Sequence, residues 1–281
     1  MSKTTKAIAF ILMSALGFAF MAFFVRLTDE IGTSISGFQK SFFRNIISLL
    51  VASCVFIKSK KSFPSSISSI LWFRSILGTI GIFANFYALS LISIAEGQSL
   101  NKTAPIFTVL FAALFLKQKP TKHQLFKIIL GFLGVLLILK PGFAGEATFP
   151  LAIALLGGIC AGGAYTCLGK LAEQKYEPSF IVLFFSIFST LVSLPFVIIN
   201  PSPMSLYQLL SLILAGVSAA IGQFGITLAY KYAKAREIAV FDYSNLLFTG
   251  ILGFVFFRQL PDTISILGML IIVIAALGRK N

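Results

Sequence analysis

The sequence predicts an all-α integral membrane protein, with ten transmembrane helices arranged as two inverted five-helix repeats. Three observations carry this expectation. Of the 281 residues, 57% are hydrophobic and only 11% are charged, with a mean hydropathy of +0.95, far beyond what a soluble domain needs to fill its core. Apolar stretches long enough to cross a bilayer, roughly 17 to 25 residues each, recur along the whole chain. The second half of the chain also echoes the first.

Taken in order, the first stretch (7–25) follows Lys3 and Lys6 and runs into Arg26 and Asp29 with no small-residue cleavage pattern, so it reads as a spanning helix and not a signal peptide. Further spans fall at 36–57, 70–90, 94–116 and 124–139, then at 149–169, 179–199, 206–230, 238–257 and 263–277. The connections, such as "KSKKSFPSS", "KQKPTKHQ", "NPSPMS" and "RQLPD", are short and leave no room for a soluble domain. Cys54, Cys160 and Cys167 lie in apolar segments and read as small buried hydrophobes. His123, the single histidine, has no second member for a metal site or a relay. "GKLAEQ" at 169 lacks the glycine spacing of a phosphate-cradling loop. No cofactor, metal or ATP drive is therefore expected. With Asp242 the only acidic residue deep in a span, an intramembrane hydrolase has no carboxylate pair to work with.

Charge sets the expected orientation. With the N-terminus inside, seventeen of the 23 Lys and Arg fall on the cytoplasmic side, Arg74 counted among them. Arg26, Lys140 and Arg258 fall outside, and Lys40, Arg44 and Lys102 lie within spans. The expectation is a multi-pass protein of the cell (plasma or inner) membrane with both termini cytoplasmic. The +14 net charge is spread over helix ends and not gathered on one surface, which excludes nucleic acid as a partner and leaves the lipid bilayer and a small molecule.

The internal repeat aligns residues 81–121 with 222–262 without a gap, matching Gly81 to Gly222, Ala88 to Ala229, Glu96 to Glu237, Thr108 to Thr249 and Pro120 to Pro261. Each half then holds five helices, with boundaries expected at 1–142 and 143–281. Five is odd, so the second half enters the membrane from the opposite side. Inverted repeats of this kind expose a site at their interface alternately to either side. The five-plus-five layout, "SFFRNIISLL" in the second span, the run "FYALSLISIAEGQSLNKTAPIFTVLFAALFLKQKPT" and its echo "LAYKYAKAREIAVFDYSNLLFTGILGFVFFRQLPD" resemble the drug/metabolite transporter superfamily in its ten-helix EamA branch. That resemblance implies a central cavity lined by helices 1 to 4 and 6 to 9 and the transport of small metabolites, often outward. It implies no particular substrate.

The repeat also nominates a site. Lys102 aligns with Tyr243, Asn101 with Asp242 and Ala104 with Asn245, about 8 residues or ~12 Å into each helix. Pro105 has no N–H to offer the Asn101 carbonyl, so it is expected to kink the helix and free that carbonyl. A cation at mid-membrane costs ~2.5 to 3.5 kcal/mol and must face a cavity or a partner. Two readings of Lys102 and Asp242 stand open: a structural ion pair across the pseudo-twofold axis, or cavity residues that meet substrate, with Asp242 taking up a coupling proton. Lys40 and Arg44, one turn apart on the second helix, add two cations, although Arg44 also suits helix packing and Lys40 suits snorkelling to the interface. Phe43, Asn85, Tyr165, Gln223, Tyr243 and Asn245 complete the candidate cavity. Three cations against one carboxylate favour an anionic or zwitterionic ligand. The alternative is a lipophilic amine held by Phe43, Tyr165 and Tyr243 through cation–π contact. Glu96 and Glu237 lie at helix starts, where the helix dipole suits them. Gly158 and Gly162 of "GGICAGGA" favour close packing within the chain over dimerisation, with monomer and homodimer both open.

Overall fold

In a computed structural model of the chain, residues 2–33, 35–89, 91, 94–141, 148–258 and 260–277 are described, those at 89 and 94–97 by backbone alone. Ten helical spans follow one another: α1 (Lys3–Glu30), α2 (Gly37–Lys58), α3 (Ser69–Leu89), α4 in two pieces (Ile94–Asn101 and Ala104–Phe115), α5 (Lys122–Leu139), α6 (Thr148–Glu173), α7 (Pro178–Ile199), α8 (Leu206–Tyr232), α9 (Ala235–Ile238, a 3-10 turn Ala239–Tyr243, then Ser244–Phe257) and α10 (Thr263–Leu277). Eight of them, α9 taken across its 3-10 turn, are long and apolar enough to cross a membrane, α10 is shorter, and α4 is divided. The side chain of Glu96, together with Gly145, Arg279, Lys280 and Asn281, lies outside the described residues.

Local chemistry fixes the helix ends. Ser2 and Ser36 accept from backbone N–H groups of the first turns of α1 and α2, and Thr121 with Gln124 and Ser205 with Gln208 close capping boxes on α5 and α8. At the C-terminal ends, Lys60, Lys117, Lys140, Lys175 and Arg258 take left-handed backbone conformations. Each places a cation beside the negative end of the helix before it. Lys117 and Arg258 are repeat equivalents. Beyond α5, Lys140 donates to Asp262 at the start of α10, and Ser265 N–H also donates to that carboxylate. These donors, Lys140 first, hold the Asp262 carboxyl down to about 2.

Polarity is inverted relative to a soluble protein. Ile199, Phe115 and Leu277 stand 72%, 74% and 76% exposed while Ser189, Thr108 and Arg74 are buried, as lipid on the outside and a polar seam inside require. Packing follows the repeat. α1 lies against α8 and α9, and α6 lies correspondingly against α3 and α4; α2 packs on α7, and α5 on α10. Exchange of the two halves maps each of these contacts onto another or onto itself. At the α1–α8 crossing a Cβ on Gly17 would stand 2.7 Å from Gly222 N, and at the equivalent α3–α6 crossing one on Gly81 would stand 3.3 Å from Gly157 O. Only glycine lets the backbones approach so closely. Gly158 and Gly162 serve the same purpose against α4, meeting Leu100 O and Ala104 O, so their use is within the chain.

Two expectations are corrected here. Cys54 is exposed on the outer face of α2, in contrast to buried Cys160 and half-buried Cys167; its apolar neighbours face lipid and not a core. Arg74 is not a loop cation. It sits in the second turn of α3 with only 2% of its surface exposed.

Candidate functional site

Both α4 and α9 break at the same repeat position, and the sequence around each break explains how. In α4 the chain turns at Lys102–Thr103, where the Thr103 hydroxyl donates to Leu100 O; in α9 the Ser244 hydroxyl donates to Phe241 O at 2.6 Å. One turn further on, Thr108 donates to Ala104 O and Thr249 to Asn245 O, each at 2.8 Å. These four hydroxyls are equivalent in pairs, and each adds a side-chain hydrogen bond to a carbonyl three or four residues back, a local bond that favours a bend in a helix. The expected role of Pro105 is corrected accordingly. Its equivalent is Leu246, yet α9 breaks as well. Pro105 occupies the first turn of the second α4 segment, where a missing N–H costs little. The Asn101 carbonyl lies beside Gly158 of α6.

Between the breaks lies a cavity of about 190 Å³. α2 contributes Arg44, α3 contributes Arg74, Gly78, Gly81 and Asn85, and α6 contributes Tyr165. α8 contributes Gln223, and the breaks contribute Asn101 and Lys102 from α4 and Asp242 and Asn245 from α9. Lys102 Nζ donates to Asn245 Oδ1 at 2.8 Å, and Asn245 Nδ2 donates to Ala15 O at 2.9 Å, which ties α4, α9 and α1 together at one level. Lys102 and Asp242 share the cavity but form no ion pair, and among the described residues no side chain donates to the Asp242 carboxylate. Of the two open readings, the structural ion pair is therefore absent.

Three nominated residues lie elsewhere. Lys40, one turn before Arg44, reaches Asp29 at the end of α1 at 2.6 Å and stands at the mouth of α2, away from the cavity. Phe43 packs edge-on to Phe42. Tyr243 is fully buried against α5, where a Cβ on Gly131 would come within 2.6 Å of its ring. Neighbours on a helix point about 100° apart, so Phe43 and Tyr243 cannot share the direction of Arg44 and Asp242. The cation–π cage for an amine thereby loses two of its three rings.

Arg74 is the residue that sequence reasoning missed. Its Nη2 donates to Gln223 Oε1 at 2.9 Å, and its guanidinium lies 4.1 Å over the Phe185 ring. The signal was present. Arg74, Gly78, Gly81 and Asn85 are spaced by four, three and four residues, which puts them on one face of α3.

This arrangement has relatives. The pseudopaline exporter CntI of Pseudomonas aeruginosa is 26% identical over 258 residues, covering 91% of this chain and 90% of its own. An S-adenosylmethionine uptake transporter of Rickettsia bellii is 23% identical over 252 residues, covering 89% and 86%. A solved crystal structure superposes with a TM-score of 0.85 over 97% of this chain and 96% of its own at 16% identity, which speaks to the fold. The model of the EamA-like transporter family matches residues 5–140 and again 148–278. Ten helices in two repeats, breaks at equivalent positions and that double match lead to one conclusion: the chain is a membrane transporter of the EamA-like transporter family.

Proposed function

We propose that this transporter moves a small polar metabolite, anionic or zwitterionic, by alternating access at the cavity between its repeats, as an exporter or exchanger. The observation that carries the reading is the cavity itself, where Arg44, Arg74 and Lys102 face, among the described residues, a single carboxylate, Asp242, at the level of both helix breaks. Cations there bias the ligand toward anionic groups, and the breaks leave each half able to rock about the site. The relatives are named for export in one case and uptake in another, so direction is proposed from the family resemblance alone.

Asp242 is the proposed coupling group. It is the one carboxylate among the cavity's described residues, and a proton binding there in one state and leaving in the other links flux to the proton gradient. The proposed setting is the inner membrane with both termini cytoplasmic and repeats at 1–142 and 143–281. With Arg74 removed from the loops, the cation asymmetry is still sixteen to three. Counterflow in liposomes tests the reading: labelled solute should accumulate against its own unlabelled pool. A protein that turns over a substrate without moving any solute refutes it.

A further inference from the structure

Two of the cations that line the cavity have no counter-ion among the described residues. Arg44 is 6% exposed, its Nε is buried without an acceptor, and it donates to no described residue. Arg74 is built into place by three helices. Gly78, one turn further along α3, leaves a slot for it: a Cβ there would press on Arg74 Nη1 and stand 2.8 Å from Phe185 Cε2. Phe185 of α7 underlies the guanidinium and Gln223 of α8 takes one nitrogen, while its Nε has no acceptor. Lys102 and Asp242, opposite charges facing one space, offset each other. The two guanidiniums remain, with no further acidic side chain among the described residues of the cavity to answer them.

We infer that Arg44 and Arg74 form a two-guanidinium subsite for a dianionic group, either a pair of carboxylates or a phosphate monoester. The inference rests on the transporter reading and narrows its substrate class. Each guanidinium presents a planar fork of donors that matches carboxylate or phosphate oxygens two at a time. In a space of low dielectric a monoanion leaves one positive charge unanswered, and a simple zwitterion leaves both. Arg74, held from three sides, supplies the fixed half of the subsite; Arg44, with no partner of its own, supplies the half that closes on the ligand.

The test is thermal stabilisation of the detergent-purified full chain by glutarate and glycerol 3-phosphate, against propionate, alanine and butylamine. At least one dianion should bind about ten- to a hundredfold more tightly than propionate or alanine, as charged hydrogen bonds allow. Glutarate as the winner identifies a carboxylate pair, and glycerol 3-phosphate identifies a phosphate. Arg44→Gln should erase the preference and Arg44→Lys should restore part of it. Arg44 has no hydrogen bond to a described residue to lose, and the ligand-free melting point of each variant checks that the fold is kept. Equal binding by propionate, alanine or butylamine, no response to either dianion, or a preference that survives Arg44→Gln overturns the inference. Counterflow of the same compounds separates it from the transporter reading: flux without a dianion preference overturns the subsite alone, and dianion binding without flux of any solute overturns the transporter reading alone.

Discussion

Gly158→Ala puts the break in α4 under direct strain. The added Cβ would lie 2.5 Å from Leu100 O, about 0.9 Å inside the 3.4 Å at which ordinary contact begins, and would also strike the Thr103 hydroxyl. Leu100 O is backbone and cannot swing aside, so α6 must move off α4 or the Thr103–Leu100 bond that closes the break must open. Overpacking of this kind costs about 1 to 3 kcal/mol. Alanine also gains about 0.5 to 1 kcal/mol over glycine within a helix, which a control must cancel. Gly250→Ala, in the second segment of α9, is that control: its Cβ would meet only the methyl of Met269 at 2.6 Å, the far end of a flexible side chain. Thermal unfolding of both variants in one detergent should place Gly158→Ala below Gly250→Ala by about 1 to 3 kcal/mol, or several degrees. Equal midpoints would refute the close approach of α6 to the break in α4.

Other outcomes follow from the same geometry. Lys40→Met should leave ligand affinity unchanged in binding titrations and change stability by less than about 1 kcal/mol, because its partner Asp29 is 43% exposed; a large loss of affinity would return Lys40 to the cavity. Lys102→Met should cut solute flux while the fold survives, since it removes a half-buried cation along with one hydrogen bond to Asn245; unchanged flux would place Lys102 outside the transport path. Asp242→Asn should abolish the pH dependence of flux in liposomes, and pH-driven flux that persists would remove it as the coupling group. The Asp262 carboxyl, held at about 2 against an ordinary 3.8, contributes stability above pH about 4 that is lost as pH falls through about 2. Melting curves of Asp262→Asn should therefore lack a step in that window that the parent shows.

The architecture was legible because the repeat is written in residues that bend or pack helices. Gly81 and Gly222 mark equivalent crossings, and Thr108 and Thr249 donate to equivalent carbonyls. The cavity was legible in part. Lys102, Asp242 and Asn245 stood out as polar groups at matching depth. What the sequence obscured was direction. Lys40 and Arg44 share a face of α2, but Lys40 lies one turn nearer the membrane surface, within reach of Asp29. Asp242 and Tyr243 share a depth but face opposite neighbours. Arg74 went astray because a cation near a helix end is ordinarily a loop charge. Its glycine at one turn, its glutamine partner and its aromatic support are contributed by three different helices, and no linear pattern brings those together.

Alternating access at the cavity is tested most directly by the reach of a membrane-impermeant maleimide to Asn85→Cys, in a background with Cys54, Cys160 and Cys167 replaced by alanine. Asn85 lines the cavity between the breaks, and the measurement is made on right-side-out and inside-out vesicles in parallel. The expected result is labelling from each side, with prior reaction from one side abolishing reaction from the other, since a single thiol is exposed in turn. Labelling from one side alone, however long the exposure, would contradict alternating access.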